Sequence, residues 1–132
     1  MRWIAAVLVG ACLSGVARAQ ALGPSHHQQE GIAQLKQGHV QEALTEFRAA
    51  VVANPADAVS HDYIGVILGE SGQLDQALAE FEQAARLQPA LPDPHFHLGL
   101  AYQRTGRTPQ AIAEYHEALR LDPAMLEARY GL

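Results

Sequence analysis

The sequence predicts an all-α fold, a short stack of three helix-turn-helix repeats. Three observations carry that reading. Pro55, Pro89 and Pro123 recur at one constant interval. Rows of that length bring seven columns of like residues into register with no insertion. Within each row the apolar positions recur at the helical period and do not alternate as in a strand.

The first element stands apart from the repeats. Met1-Arg2 gives a short positive start, Trp3 to Val16 is an apolar run broken only by Gly and Ser, and Ala17-Arg18-Ala19 places small residues where a signal peptidase reads. Residues 1–19 therefore read as a secretory signal peptide cut between Ala19 and Gln20, which predicts an exported, periplasmic or secreted protein. The apolar run is 14 residues long, whereas a membrane-spanning helix needs roughly 20; a retained anchor is the alternative. Cys12, the single cysteine, lies inside this segment, and Val9-Gly10-Ala11-Cys12 loosely resembles a lipoprotein cleavage site. A membrane address follows only if the signal is retained or Cys12 is lipidated. A chain cut after Ala19 carries no thiol, which removes disulfides, thiolate metal sites and cysteine nucleophiles together.

The same cut removes two of the nine basic side chains and none of the 14 acidic ones, leaving a formal charge of −7 with His neutral. Affinity for phosphate backbones rests on Lys and Arg releasing counterions, so this balance argues against nucleic acid as a partner.

The repeats follow as residues 24–57, 58–91 and 92–125. Gly31, Gly65 and Gly99 share one column, and Gly38, Gly72 and Gly106 another. Ala43, Ala77 and Ala111 align, as do Ala50, Ala84 and Ala118, with Phe47, Phe81 and Tyr115 between them. His27, His61 and His95 coincide as well. In the third row a first helix over Asp93–Thr105 carries Phe96, Leu98, Leu100, Ala101 and Tyr102. Gly106 stops it, because glycine adopts the left-handed conformation without a Cβ clash. Thr108-Pro109 then predicts an N-cap and a first helical proline. Ala111, Ile112, Tyr115, Ala118 and Leu119 form one apolar stripe on the second helix, and Asp122-Pro123 ends it. Gln41 and Asp75 open the corresponding helices of the first two rows. Gly65 and Ala77 let paired helices approach, and Phe81 fills the space between hairpins. A hairpin of this size cannot bury its own apolar faces and needs neighbours.

These columns resemble the tetratricopeptide-repeat (TPR) pattern W-x2-L-G-x2-Y, A-x3-F, A, P. Row three supplies Leu98-Gly99-x2-Tyr102, Ala111-x3-Tyr115, Ala118 and Pro123; row two supplies Ile64-Gly65-x2-Leu68, Ala77-x3-Phe81, Ala84 and Pro89. Row one supplies Gly31, Ala43-x3-Phe47, Ala50 and Pro55, but Glu30 stands where an apolar residue is usual, and His takes the large first position in all three rows. The resemblance implies a right-handed superhelical arc. Residues 126–132 read as the start of an incomplete fourth repeat, either a short capping segment or a sign that the sequence is part of a longer protein.

The resemblance also implies where a partner would sit. First helices of successive TPR repeats line a concave groove that holds a peptide or helix. By register the groove residues are Gln28, Ile32, Leu35 and Lys36, then Asp62, Val66, Gly69 and Glu70, then Asp93, Phe96, Leu100, Gln103 and Arg104. Ile32, Val66 and Leu100 form an apolar floor suited to an amphipathic or extended segment, or else pack against neighbouring first helices. Asn54 is the only asparagine, which speaks against both a carboxylate clamp and an asparagine ladder.

Chemistry finds little footing. His95 and His97 are two apart on a helix and do not face each other. His27, His61 and His95 stand about 8–10 Å apart if successive helices pack normally, whereas zinc ligands lie about 2 Å from the ion. No metal or other cofactor is expected. Gly69-Glu70-Ser71-Gly72 lacks the strand-turn-helix setting of a nucleophile elbow, no Lys follows a glycine-rich run, and Glu80, Glu82, Glu114 and Glu117 read as solvated helix surface. The sequence thus predicts no enzyme and no small-molecule substrate, but an exported adaptor or scaffold for a protein or peptide. The alternatives are a non-catalytic TPR region of a truncated larger exported enzyme or envelope assembly factor, or a self-associating element.

Overall fold

The computed structural model describes residues 26–132. The expected leader, its Ala19–Gln20 cleavage position and Cys12 lie outside them. Among the described residues every regular element is a helix: α1 (residues 26–36), α2 (Val40–Ala53), α3 (Ala58–Glu70), α4 (Leu74–Leu87), α5 (Pro92–Arg104), α6 (Thr108–Leu121) and α7 (Leu126–Gly131). None of the described helices is long and apolar enough to cross a membrane. The chain divides into two compact units after Pro55, the first holding α1 and α2, the second α3 to α7.

Each hairpin turns on one glycine. Gly38, Gly72 and Gly106 have φ of 80°, 85° and 74°, the left-handed region that a side chain disfavours. At the end of α3 the amide of Gly72 donates to the Gly69 carbonyl and that of Gln73 to the Leu68 carbonyl, at 3.1 and 2.9 Å. This Schellman arrangement satisfies carbonyls that the helix end would leave orphaned. The same pair of bonds recurs at Gly38 and His39, and at Gly106 and Arg107.

The turn also corrects the expected helix starts. Thr108 is already helical; the N-cap is Arg107, with no side-chain capping bond. Likewise α2 and α4 open at Val40 and Leu74, one residue before Gln41 and Asp75. The residue after each glycine gives its amide back to the first helix, while its carbonyl accepts from the second: His39 from Ala43, Gln73 from Ala77, Arg107 from Ala111. One residue therefore closes one helix and opens the next, and no separate cap is needed. At the far ends Asn54, Gln88 and Asp122 make the last helical amide bonds, and the prolines that follow have no amide to continue them.

Packing within the hairpins is set by glycine against aromatic ring. A Cβ placed on Gly65 would lie 2.5 Å from the Phe81 ring, and one on Gly99 would lie 2.6 Å from that of Tyr115. In the first unit Gly31 stands against Phe47 in the same way. Ala77, Ala84 and Ala118 are fully buried beside these rings, so close helix approach brings dispersion contacts along the whole seam. In the second unit α4 packs on α5, and α7 packs on α6 and α5. His97 stacks on Phe81 from the following hairpin, with centroids 5.3 Å apart and planes at 29°. Gly131, one repeat interval on from His97, takes the same place on Tyr115, so α7 continues the register as a first helix.

Candidate functional site

The second unit carries a small open cleft of about 50 Å³ between the first helices α3 and α5, with α4 behind. Val66 and Leu100 flank it, Ala77, Ala101 and the Phe81 ring form its floor, and Glu70 and Arg104 stand at its rim. Gly69, which has no side chain, also lines it.

His97 forms one wall, held from two sides. Its ring stacks on Phe81, and its Nδ1 lies 2.8 Å from Asp62 Oδ1, the imidazole donating. Asp62 is buried. Burial pushes its carboxyl above the ordinary value, the His97 hydrogen bond and charge pull the other way, and the negative charge of Asp93 adds to the rise. At the rim Arg104 donates to the Gly69 carbonyl at 3.4 Å and lies 3.6 Å from Glu70. Both side chains are more than half exposed, so water screens the pair and it contributes roughly 0–1 kcal/mol.

Of the groove residues expected from the sequence, Val66, Gly69, Glu70, Leu100 and Arg104 come together at this cleft. Asp62 is not on the open surface; it is the buried anchor of His97. Asp93 is exposed in the first turn of α5. Phe96 is half-buried and packs against the Ala111, Tyr115, Ala118 and Ala128 cluster. Gln103 is exposed and accepts from the Tyr115 hydroxyl at 2.8 Å. Gln28, Ile32 and Leu35 are half-buried and Lys36 exposed on α1, in the other unit.

Two features escaped the sequence reading. The first is His97, which lines the cleft although no repeat column marks it. The second is a repeated tie within hairpins: His27, His61 and His95 place Nδ1 at 2.6, 2.6 and 2.7 Å from Glu46, Glu80 and Glu114. Glu80 and Glu114 are therefore not merely solvated carboxylates; they hold second helix to first. Glu46, Glu80 and Glu114 form a column of their own at the repeat interval, each directly before the aromatic, and that column was the available signal. His95 also places Nε2 3.2 Å from the Pro89 carbonyl. Elsewhere Glu82 accepts from Tyr102 and Glu117 pairs with Arg120 on the surface. Among the described residues no three His, Asp or Glu side chains converge as a metal-holding group.

Family models described as "TPR repeat" and "Tetratricopeptide repeat" match residues 65–106 and 92–124. Among solved structures, the first TPR of Spaghetti (RPAP3) bound to HSP90 peptide SRMEEVD superposes with a TM-score of 0.77 at 19% identity, over 82% of this chain and 86% of that one. The Arabidopsis OM64 TPR domain gives 0.77 at 20% identity, over 82% and 89%. YrrB, described as a TPR protein with an unusual peptide-binding site, gives 0.72 at 22% identity, over 82% and 56%. No curated protein matches the chain in sequence.

Proposed function

The chain belongs to the tetratricopeptide-repeat family, and from that premise we propose that it is an interaction scaffold, exported by its N-terminal leader, that holds a peptide or helix of a partner protein against its first helices. One observation carries the groove reading. The cleft between Val66 and Leu100 has an apolar floor, a charged rim and room for about 50 Å³. Small-molecule pockets run to roughly 300–1,000 Å³. A single apolar side chain projecting from a longer segment fits the smaller figure, with the rest of the segment lying along the helices.

The chemistry of that segment follows from the rim. Glu70 and Asp93 are exposed on the two first helices that line the cleft, with Arg104 at its rim. The Spaghetti neighbour is bound to an acidic peptide; this rim favours an apolar anchor flanked by basic residues. The same balance extends to the sequence beyond residue 19, at −7. Selection from a random peptide library on the full protein provides the test. Recovered peptides are expected to share one large apolar residue beside Lys or Arg, and their binding should be lost in Val66→Asp combined with Leu100→Asp, with helicity near wild type. Binding that survives that pair of changes overturns the groove reading.

A further inference from the structure

Below its charged rim the cleft between α3 and α5 is apolar except at His97. Asp62 and His97 belong to no repeat column: their equivalents in the neighbouring row are Phe96 and Tyr63. Burying a carboxylate for one such bond gains little over an apolar pair of similar volume. What the pair does accomplish is to fix a ring. Asp62 of α3 holds His97 Nδ1 at 2.8 Å, Phe81 of α4 stacks on the imidazole with centroids 5.3 Å apart, and Phe96 lies against it at 5.4 Å.

Fixing the ring also fixes its tautomer. With the Nδ1 proton directed at Asp62, the neutral imidazole keeps a lone pair on Nε2. Among the described residues no group is bonded to that nitrogen. None of their buried side-chain nitrogens or oxygens lacks a partner, so solvent reaches Nε2. The His97 side chain is 23% exposed and lines the cleft. A hydrogen-bond acceptor held in one orientation beside an apolar floor rewards a side chain that is apolar along its body and ends in a donor.

Resting on the groove reading, we propose that His97 selects the anchor: the cleft takes a phenol or indole side chain of the partner, whose hydroxyl or ring N–H donates to His97 Nε2. At about 50 Å³ the cleft admits the donor-bearing edge of such a ring and leaves the remainder between Val66 and Leu100. Asp62 acts through His97 as a positioning residue and touches no ligand. The rim of Glu70 and Arg104 then meets the residues that flank the anchor.

Two side-chain analogues, p-cresol and toluene, separate this selection from a merely apolar cleft. Toluene is the more apolar and binds tighter wherever a buried hydroxyl finds no partner. Each is titrated into the full protein and followed by NMR of the Val66 and Leu100 methyls and the His97 ring nitrogens. The methyl signals are expected to move with both compounds, p-cresol binding about tenfold tighter, and the Nε2 signal with p-cresol alone. His97→Asn keeps an amide for Asp62 but removes Nε2, and should reverse the preference. Asp62→Leu combined with His97→Phe keeps an aromatic stack on Phe81, should reverse it as well, and covers the case in which the asparagine variant does not fold. Toluene binding as tightly as p-cresol, or a preference that survives these variants, overturns the inference and leaves the groove reading standing. Signals that ignore both compounds overturn the inference and the cleft as an anchor site together.

Discussion

At the residue scale, two glycines four apart on α3 have opposite roles. Gly65 faces the Phe81 ring so closely that a Cβ would lie 2.5 Å from it, whereas a Cβ on Gly69 would meet Ala77 at 3.7 Å, an ordinary contact. Gly65→Ala should therefore destabilise the protein by about 1–3 kcal/mol through overpacking. Gly69→Ala should be neutral or stabilising by up to about 1 kcal/mol through helix propensity. Urea denaturation of the two variants checks the contrast. Asp62 supplies a second prediction. Burial raises its carboxyl above the ordinary 3.8, so the folded state holds this proton to higher pH than the unfolded chain. The stability it contributes is present on the acid side and declines as pH rises from 3.8 through the raised value. Asn keeps an oxygen toward His97 without ionising. Across that window the thermal midpoint of Asp62→Asn should shift upward relative to wild type as pH rises, and a pH series of melting curves measures it. The close approach at Gly65 was legible in the sequence, but the burial of Asp62 was not: it looked like a groove residue, because register gives a side chain's column but not its depth.

At the element scale the hairpin turns are the most constrained part of the fold. Gly106 has φ of 74° with no heavy atom near enough to obstruct a Cβ. Gly106→Ala thus tests backbone strain alone, with an expected loss of about 1 kcal/mol and no change in the helical spectrum below the melting transition. The glycine columns, the prolines and the aromatic column were readable because each answers to local geometry that recurs with every repeat. Helix starts were misplaced by one residue at Thr108, Gln41 and Asp75, since sequence favours a side-chain cap and the turn uses a backbone one. The histidine–glutamate ties join first helix to second, Glu46 to His27, Glu80 to His61 and Glu114 to His95, a separation that no helical periodicity contains. They were hidden until two helices were laid side by side.

For the whole molecule, the repeat reading and the family agree, and the flanks of the cleft are residues that the columns had brought together, Val66 and Leu100. Its wall, His97, came from tertiary stacking on Phe81, which a row-by-row reading treats as a departure from the repeat. The proposal of export belongs at this scale as well. Protein purified from its native cell envelope should begin at Gln20 by N-terminal sequencing and mass; a chain that keeps residues 1–19 unmodified removes the basis for a cleaved leader. The shared residues His39, Gln73 and Arg107, each the last of one helix and the threshold of the next, leave the hairpin no slack. Deleting a single residue there would swing the following helix by about 100° and carry its aromatic off the glycine it faces. Only the joints between hairpins can take extra length without breaking this register, and the register itself extends only in whole modules, as a chain of links is lengthened.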